Sequence, residues 1–322
     1  MKKLLLSAFA LAAFYSCQNN EVSQEEISQT EAADATAHRS CASQEVLSRQ
    51  LQDDPGLAER MEQIESFTQQ HLNSGQYRLL ANGSIEIPVV VNVLYRTAAE
   101  NISQAQIQSQ IDVLNRDFNA TNTDFNLVPT LFAGVKANVG ISFVLDQVRR
   151  KVTTKTSWGT ADAMKKTAGL TPLSPTTKLN FWVCTIGGGI LGYAQFPGGA
   201  SATDGVVCDS RYTGTTGTAT FPFNLGRTAT HEVGHWMNLR HIWGDANCGS
   251  DLVSDTPSMD SPNGGVPAYP TYSTCAGNPV EMTMNYMDYT DDRGMYMFSN
   301  GQKSRMNAVF AVGGSRASFR NL

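Results

Sequence analysis

Residues 230–245 read THEVGHWMNLRHIWGD and hold three of the chain's five histidines within eleven positions. If the segment is helical, His231 and His235 lie one turn apart. Their imidazoles then leave the same face, close enough to share one metal ion. Glu232 is rotated from His231 by about 100° on the helical wheel, so its carboxylate can reach a water beside the metal without displacing an imidazole. His241 cannot belong to the same helix, because the standard rise would set it roughly 15 Å along the axis from His231. For His241 to join the other two, the chain must leave the helix between Trp236 and Arg240 and fold back. Asn238 marks the place, since asparagine most readily takes, after glycine, the left-handed conformation that ends a helix. A chance HExxH on a surface helix is the ordinary alternative. A third histidine at a return distance, with a break residue between, argues against it. Three neutral imidazoles with an open fourth position imply catalytic Zn²⁺; a structural site is closed by four ligands, usually cysteines, and the chain has no CxxC pair.

HEVGHWMNLRH resembles the extended zinc signature of the metzincin metallopeptidases, and Trp236 with the WGD at 243–245 is most similar to their pappalysin (cytophagalysin) branch. The metzincin pattern carries glycine where this chain has Asn238. Residues 284–290, MNYMDYT, resemble the tight methionine turn below the metal in that family. The likeness implies Met287 as the supporting methionine and Tyr289 as a helper of the tetrahedral intermediate. It runs from about Cys41 to the end and is strongest over 186–300. The implied fold is α+β, a metzincin-like catalytic domain with a twisted mixed sheet, a zinc-binding active-site helix and a smaller C-terminal subdomain holding the methionine turn. The implied chemistry is peptide hydrolysis, with His231, His235 and His241 on zinc and Glu232 as general base, passing its proton to the leaving amine. Two other classes stand beside it: hydrolysis of a non-peptide amide, and a catalytically silent surface binding module that keeps zinc for structure. A lost Glu232 would mark the binding module, and Glu232 is present.

The chain opens MKKLLLSAFALAAFYSC. Lys2 and Lys3 precede an apolar run from Leu4 to Phe14 that is too short to span a membrane, and 1–16 read as a signal peptide. Cys17 before QNNE resembles a bacterial lipoprotein cleavage site. Either it is lipidated and holds the protein at the outer membrane or cell surface, or it is a cysteine in an ordinary secretory leader. Residues 17–84 read as a polar tether and a pro-segment with helical periodicity from about 43 to 72, interrupted at Pro55. The catalytic domain is expected over 85–322, its upper part over 85–241 and its lower part over 242–322. It opens on a strand from about Ile85 to Tyr95. Ile102, Ile107, Ile111 and Leu114 then recur at helical spacing, and ISFVLDQV and KLNFWVCTI read as strands. IGGGILGYAQFPGG, 186–199, resembles the edge strand of a metzincin cleft, where unpaired N–H and C=O groups take up an extended protein or peptide substrate as an added strand. Its glycines lack the Lys-Ser/Thr of a phosphate loop. A formal net charge of −5 predicts no nucleic-acid partner.

Six cysteines in an exported chain require an accounting. Cys248 and Cys275 bracket the loop between zinc helix and methionine turn and match a disulfide of the pappalysin fold. Cys184 and Cys208 lie on two apolar runs, as a second disulfide or as two buried thiols. Cys41, in HRSCAS, is left over. In related proenzymes a cysteine in an Arg-Cys-Gly context coordinates the zinc; here Ser40 intervenes and Ala42 replaces the glycine. A thiolate near Arg39 is a competent soft ligand. Cys41 is thus either a latency switch, released by cleavage near 73–84, or a plain unpaired cysteine. GDANCGSDLVSDTP gathers Asp245, Asp251 and Asp255 beside Thr256. That suits Ca²⁺, which pappalysins carry in this neighbourhood, or else is a solvated acidic loop. Asp288, Asp291 and Asp292 follow the methionine. Resemblance to arginine-preferring relatives implies that they make the pocket after the scissile bond acidic and favour a basic residue there.

Overall fold

The computed structural model describes residues 38–74 and 85–320. The signal peptide, Cys17, nearly all of the tether and most of the expected cleavage stretch lie outside the described residues. Two helices come first, α1 (Ser43–Asp53) and α2 (Leu57–Asn73), separated where Pro55 interrupts the periodicity. Next come β1 (Ile85–Tyr95), α3 (Gln104–Phe118), β2 (Lys136–Ala137), β3 (Ile141–Val152), β4 (Leu179–Cys184), β5 (Gly192–Ala194) and β6 (Val206–Asp209). Helix α4 (Arg227–Trp236) follows, and β7 (Phe298–Ser299) and α5 (Asn300–Phe310) close the order.

The main sheet runs β3-β1-β4-β6-β5. Its inner pairs are parallel, and β5 closes one edge antiparallel to β6. β1 lies inside the sheet between β3 and β4 and is buried on both faces, with Ile87, Val89, Val91 and Val93 in the larger core and Leu94 in a smaller one opposite. That explains its near-continuous apolar run. In α3 the Ser103 side chain caps the start by accepting from the Gln106 N–H at 3.1 Å. Its Ile107, Ile111, Leu114 and Phe118 pack into the larger core together with Ala229 and Val233 of α4. On the opposite face Trp182 and Tyr193 are joined by Ala42 and Val46, so the N-terminal segment completes the smaller core.

After α4 the chain has little regular structure until β7. A Cys248–Cys275 disulfide fixes this region, as do Met282, Met284, Met287, Met295 and Met297, all buried in the larger core. Cys184 and Cys208 are free and buried, the second of the two alternatives, and form no disulfide. The strands are neighbours, but Cys208 pairs with Val183 and Cys184 with Asp209. One residue of offset sends the two thiols to opposite faces of the sheet, Cys208 into the larger core and Cys184 into the smaller. Among the described residues no helix is long and apolar enough to cross a membrane.

Candidate active site

Every residue of α4 is buried. Its first turn is tied to α3, where Thr230 donates to Asp117 at 2.7 Å, and Arg227 reaches Asp124 beyond α3 at 2.5 and 2.7 Å. The helix ends at Trp236, and Asn238 has φ 73°, the left-handed turn expected of it. The Leu239 N–H donates back to the Gly234 carbonyl at 3.0 Å, and the chain reverses. His241 is thereby returned to the helix face. His235 Nε2 lies 3.2 Å from His231 Nε2 and 3.1 Å from His241 Nε2.

Each ring is oriented from behind. His231 Nδ1 faces the Tyr286 carbonyl at 2.7 Å, His235 Nδ1 the Leu239 carbonyl at 2.8 Å, and His241 Nδ1 the Asp245 carboxylate at 2.5 Å. With each Nδ1–H donating outward, all three Nε2 lone pairs point inward at one another. Such an arrangement is repulsive without a cation among them, and ligands about 2.0–2.1 Å from a tetrahedral centre stand roughly 3.3–3.4 Å apart. The donor set therefore fits a metal ion. Burial, reinforced by the neighbouring His241, lowers the His235 pKa to about 3, so the ring is neutral, as a ligand must be. Trp243 stacks on His241 with the ring planes 6° apart.

Below the rings Met287 is fully buried. A Cβ on Gly234 would lie 2.5 Å from its sulfur, so only glycine lets the methionine turn approach this closely. Asn285 holds that turn by accepting from the Met287 N–H at 2.9 Å and is itself clamped by Gln302. Above the rings Glu232 lies against the edge strand, where a Cβ on Gly192 would sit 3.0 Å from its carboxylate. Burial raises the Glu232 pKa to about 7, against hydrogen bonds from Ser43 and Cys41.

The segment 39–43 crosses this centre. Leu191 N–H donates to the Ser40 carbonyl at 2.8 Å and Ala42 N–H to the Gly192 carbonyl at 3.1 Å, so it lies parallel to β5. Cys41 Sγ and the three histidine nitrogens lie within 4.8 Å of one another; among the described residues this is the only such cluster of metal-binding groups. Ser43 Oγ accepts from Ala194 N–H at 2.8 Å and donates to Glu232 at 2.9 Å. Tyr289 Oη donates to the Cys41 carbonyl at 3.2 Å. Arg39 is not beside the thiol as a charge partner. Its guanidinium bonds Asp292 at 2.6 Å, the Thr290 carbonyl and Thr228 Oγ1 at 3.2 Å each, and lies 5.0 Å over the Phe223 ring.

Of the three acidic residues after the methionine, Asp292 is the one that bonds Arg39, and the Leu225 and Arg227 N–H groups hold its other oxygen. Asp288 is bound by Asn263. The acidic loop also divides. Asp251 accepts from Thr256 Oγ1 at 2.9 and 3.0 Å, whereas Asp255 caps the start of α5 through Ser299 and Gly301 N–H. Asp245 serves His241. Sequence reasoning passed over Ser43, Gly234 and the Asp245 contact; the last had a signal, a carboxylate four residues after a histidine that must turn back.

A buried HExxH helix, a returning third histidine and a methionine turn beneath them define a metzincin-type metallopeptidase. The Peptidase M43 family, described as pregnancy-associated plasma protein-A, matches residues 184–311. An extracellular metalloprotease of Pyricularia oryzae is 36% identical over 69% of this chain and 72% of its own. A promirolysin mutant from Tannerella forsythia superimposes with TM-score 0.79 at 38% identity, over 88% of this chain and 97% of that one. Mature mirolysin of the same organism, in complex with a cleaved peptide, gives TM-score 0.72 at 41% identity, over 74% and 96%. The chain belongs to the M43, or pappalysin, family of metallopeptidases.

Proposed function

We propose that the protein is an exported zinc endopeptidase made as a latent precursor. The observation that carries this reading is the convergence of three inward Nε2 atoms beside a buried carboxylate, on the edge-strand side of α4. His231, His235 and His241 would hold the zinc, which when bound polarises a carbonyl and acidifies water. Glu232 takes the proton of the attacking water and returns it to the leaving amine. An extended substrate adds to β5, with Ala194 N–H among the donors that Ser43 engages in the precursor. Tyr289 donates to the oxyanion; in the precursor it already donates to a main-chain carbonyl, that of Cys41. Met287 supports the ligands from below.

Cys41 as fourth ligand accounts for latency, with the thiol in the place a substrate water would need. The Arg39 seat at Asp292 supports a preference for a basic residue after the scissile bond, because the precursor fills that seat with its own guanidinium. Asp251 and Thr256, with the Val253 carbonyl also bonded to Thr256, are proposed as calcium donors without Asp255. Burial raises the Asp251 pKa to about 6; a melting temperature insensitive to added Ca²⁺ would remove this site. Similar proteins named extracellular metalloproteases support export. Attachment through a lipid on Cys17 remains part of the proposal.

The test is digestion of a mixed peptide library by the trimmed protein, with and without a chelator. Internal cuts that the chelator abolishes, enriched for Arg or Lys after the cut, are expected. Retained zinc with no cut peptide would favour the binding-module reading or a non-peptide amide.

A further inference from the structure

Asn238 stands where the metzincin signature has glycine, and the left-handed turn alone does not explain the exchange, since glycine takes φ 73° without strain. What asparagine adds is a carboxamide. Its Nδ2 is buried and donates to nothing, although the residue is only 8% exposed. An unpaired buried donor is costly, and native structures keep few of them without a reason.

Asn238 lines a groove of about 390 Å³ between the catalytic unit and the pro-segment helices. On the catalytic side its neighbours are Arg240, Phe196 and Asp245; the pro-segment wall includes Glu62 and Glu65. The groove lies beyond the C-terminal end of β5, with Phe196 5.3 Å from the His235 ring. Asp292's seat lies toward the other end of the strand, because Arg39 precedes Ser40, whose carbonyl pairs with Leu191. A peptide stretched along β5 therefore passes from one to the other. The precursor fills the acidic seat with an arginine, and its Glu62 and Glu65 line the groove across from Asn238 and Arg240, with the Glu65 carboxylate held by Arg305 at 2.8 and 3.0 Å. Asp245 is the one carboxylate on the catalytic wall, and it is engaged by His241 at 2.5 Å.

We propose that removal of the pro-segment turns Asn238 and Arg240 into a subsite for an acidic substrate side chain, on the opposite side of the scissile bond from the residue held by Asp292. This rests on the peptidase reading above. The Asn238 amide and the Arg240 guanidinium supply the donors, the Phe196 ring an apolar floor for the side-chain stem. The enzyme then reads a charge pattern, acidic on one side of the cut and basic on the other, rather than a single basic residue.

The experiment uses enzyme activated from the full precursor and peptides with one fixed Arg. Glu, Gln, Ala or Lys is scanned through four positions on each side of the cut, with zinc content measured in parallel. At one position opposite the Arg, Glu should raise kcat/KM over Ala about tenfold, the scale of a hydrogen bond to a charged group. Asn238→Gly keeps the turn and deletes the amide, and Arg240→Ala deletes the charge. Each should bring the Glu-to-Ala ratio toward one. A Glu-to-Ala ratio near one at every position in the unaltered enzyme overturns the proposal, as does a preference that survives in both variants. If Asn238→Gly loses zinc, Arg240→Ala decides alone. Zinc-loaded enzyme that cuts none of the peptides overturns the peptidase reading itself, and the subsite with it.

Discussion

At the scale of single residues the site is a set of orientations, each with a named cause. Two zinc-facing imidazoles are aimed by main-chain carbonyls and the third by Asp245. A carboxylate behind a ligand fixes the tautomer and strengthens the donor, and losing such a partner typically weakens metal binding about 10–100-fold. Asp245→Asn should therefore weaken zinc binding on that scale in a chelator competition while the thermal transition of the metal-loaded protein stays close to that of the parent. Unchanged affinity would mean that the Trp243 stack alone orients His241. The three candidate ligands and the turn that gathers them are legible in the sequence, because helical periodicity and one asparagine are local signals; the groups that aim the rings are not. The Arg39–Asp292 pair was not, since 253 positions separate its members and no pattern links them.

At the scale of elements, the proposed latency rests on a short segment laid on β5. Its thiol faces the histidines, and its serine is bonded both to Ala194 N–H and to Glu232. The segment thus covers the metal and the base with adjacent residues. Removing one charge-assisted contact should raise the unlocked fraction, and with it the untrimmed precursor's peptide cleavage, about 10–100-fold. Cys41→Ala and Ser43→Ala are each expected to do so in an assay without trimming, and the double variant to exceed both. An activation lag identical to the unaltered precursor's in Cys41→Ala would take the thiol out of the mechanism. Element order and edge-strand position could be read from apolar runs. Strand register could not, and an offset of one residue is what decides between a Cys184–Cys208 disulfide and two buried thiols, in favour of the thiols. Asp255 likewise looked like an oxygen donor until the start of α5 claimed it.

At the scale of the whole molecule, the segment 38–74 is a structural part and, on the proposed reading, also the inhibitor. It fills the smaller core with Ala42 and Val46 and is pinned by the Arg49–Asp162 and Glu65–Arg305 pairs, with Arg305 almost wholly buried. Its proposed removal would therefore uncover the three histidines, the base, the acidic seat and the opposite groove together. The sequence pointed to a helical segment packing on something else; which surfaces it covers depended on contacts more than a hundred positions away. The central claim is that Glu232 activates water at a zinc held by three histidines. Its most direct test is to trim the Glu232→Ala precursor with an added protease and measure zinc per chain and peptide cleavage beside the unaltered enzyme. Equal zinc, with cleavage lowered by at least about 10²-fold, is the expected result; equal zinc with undiminished cleavage would contradict the account.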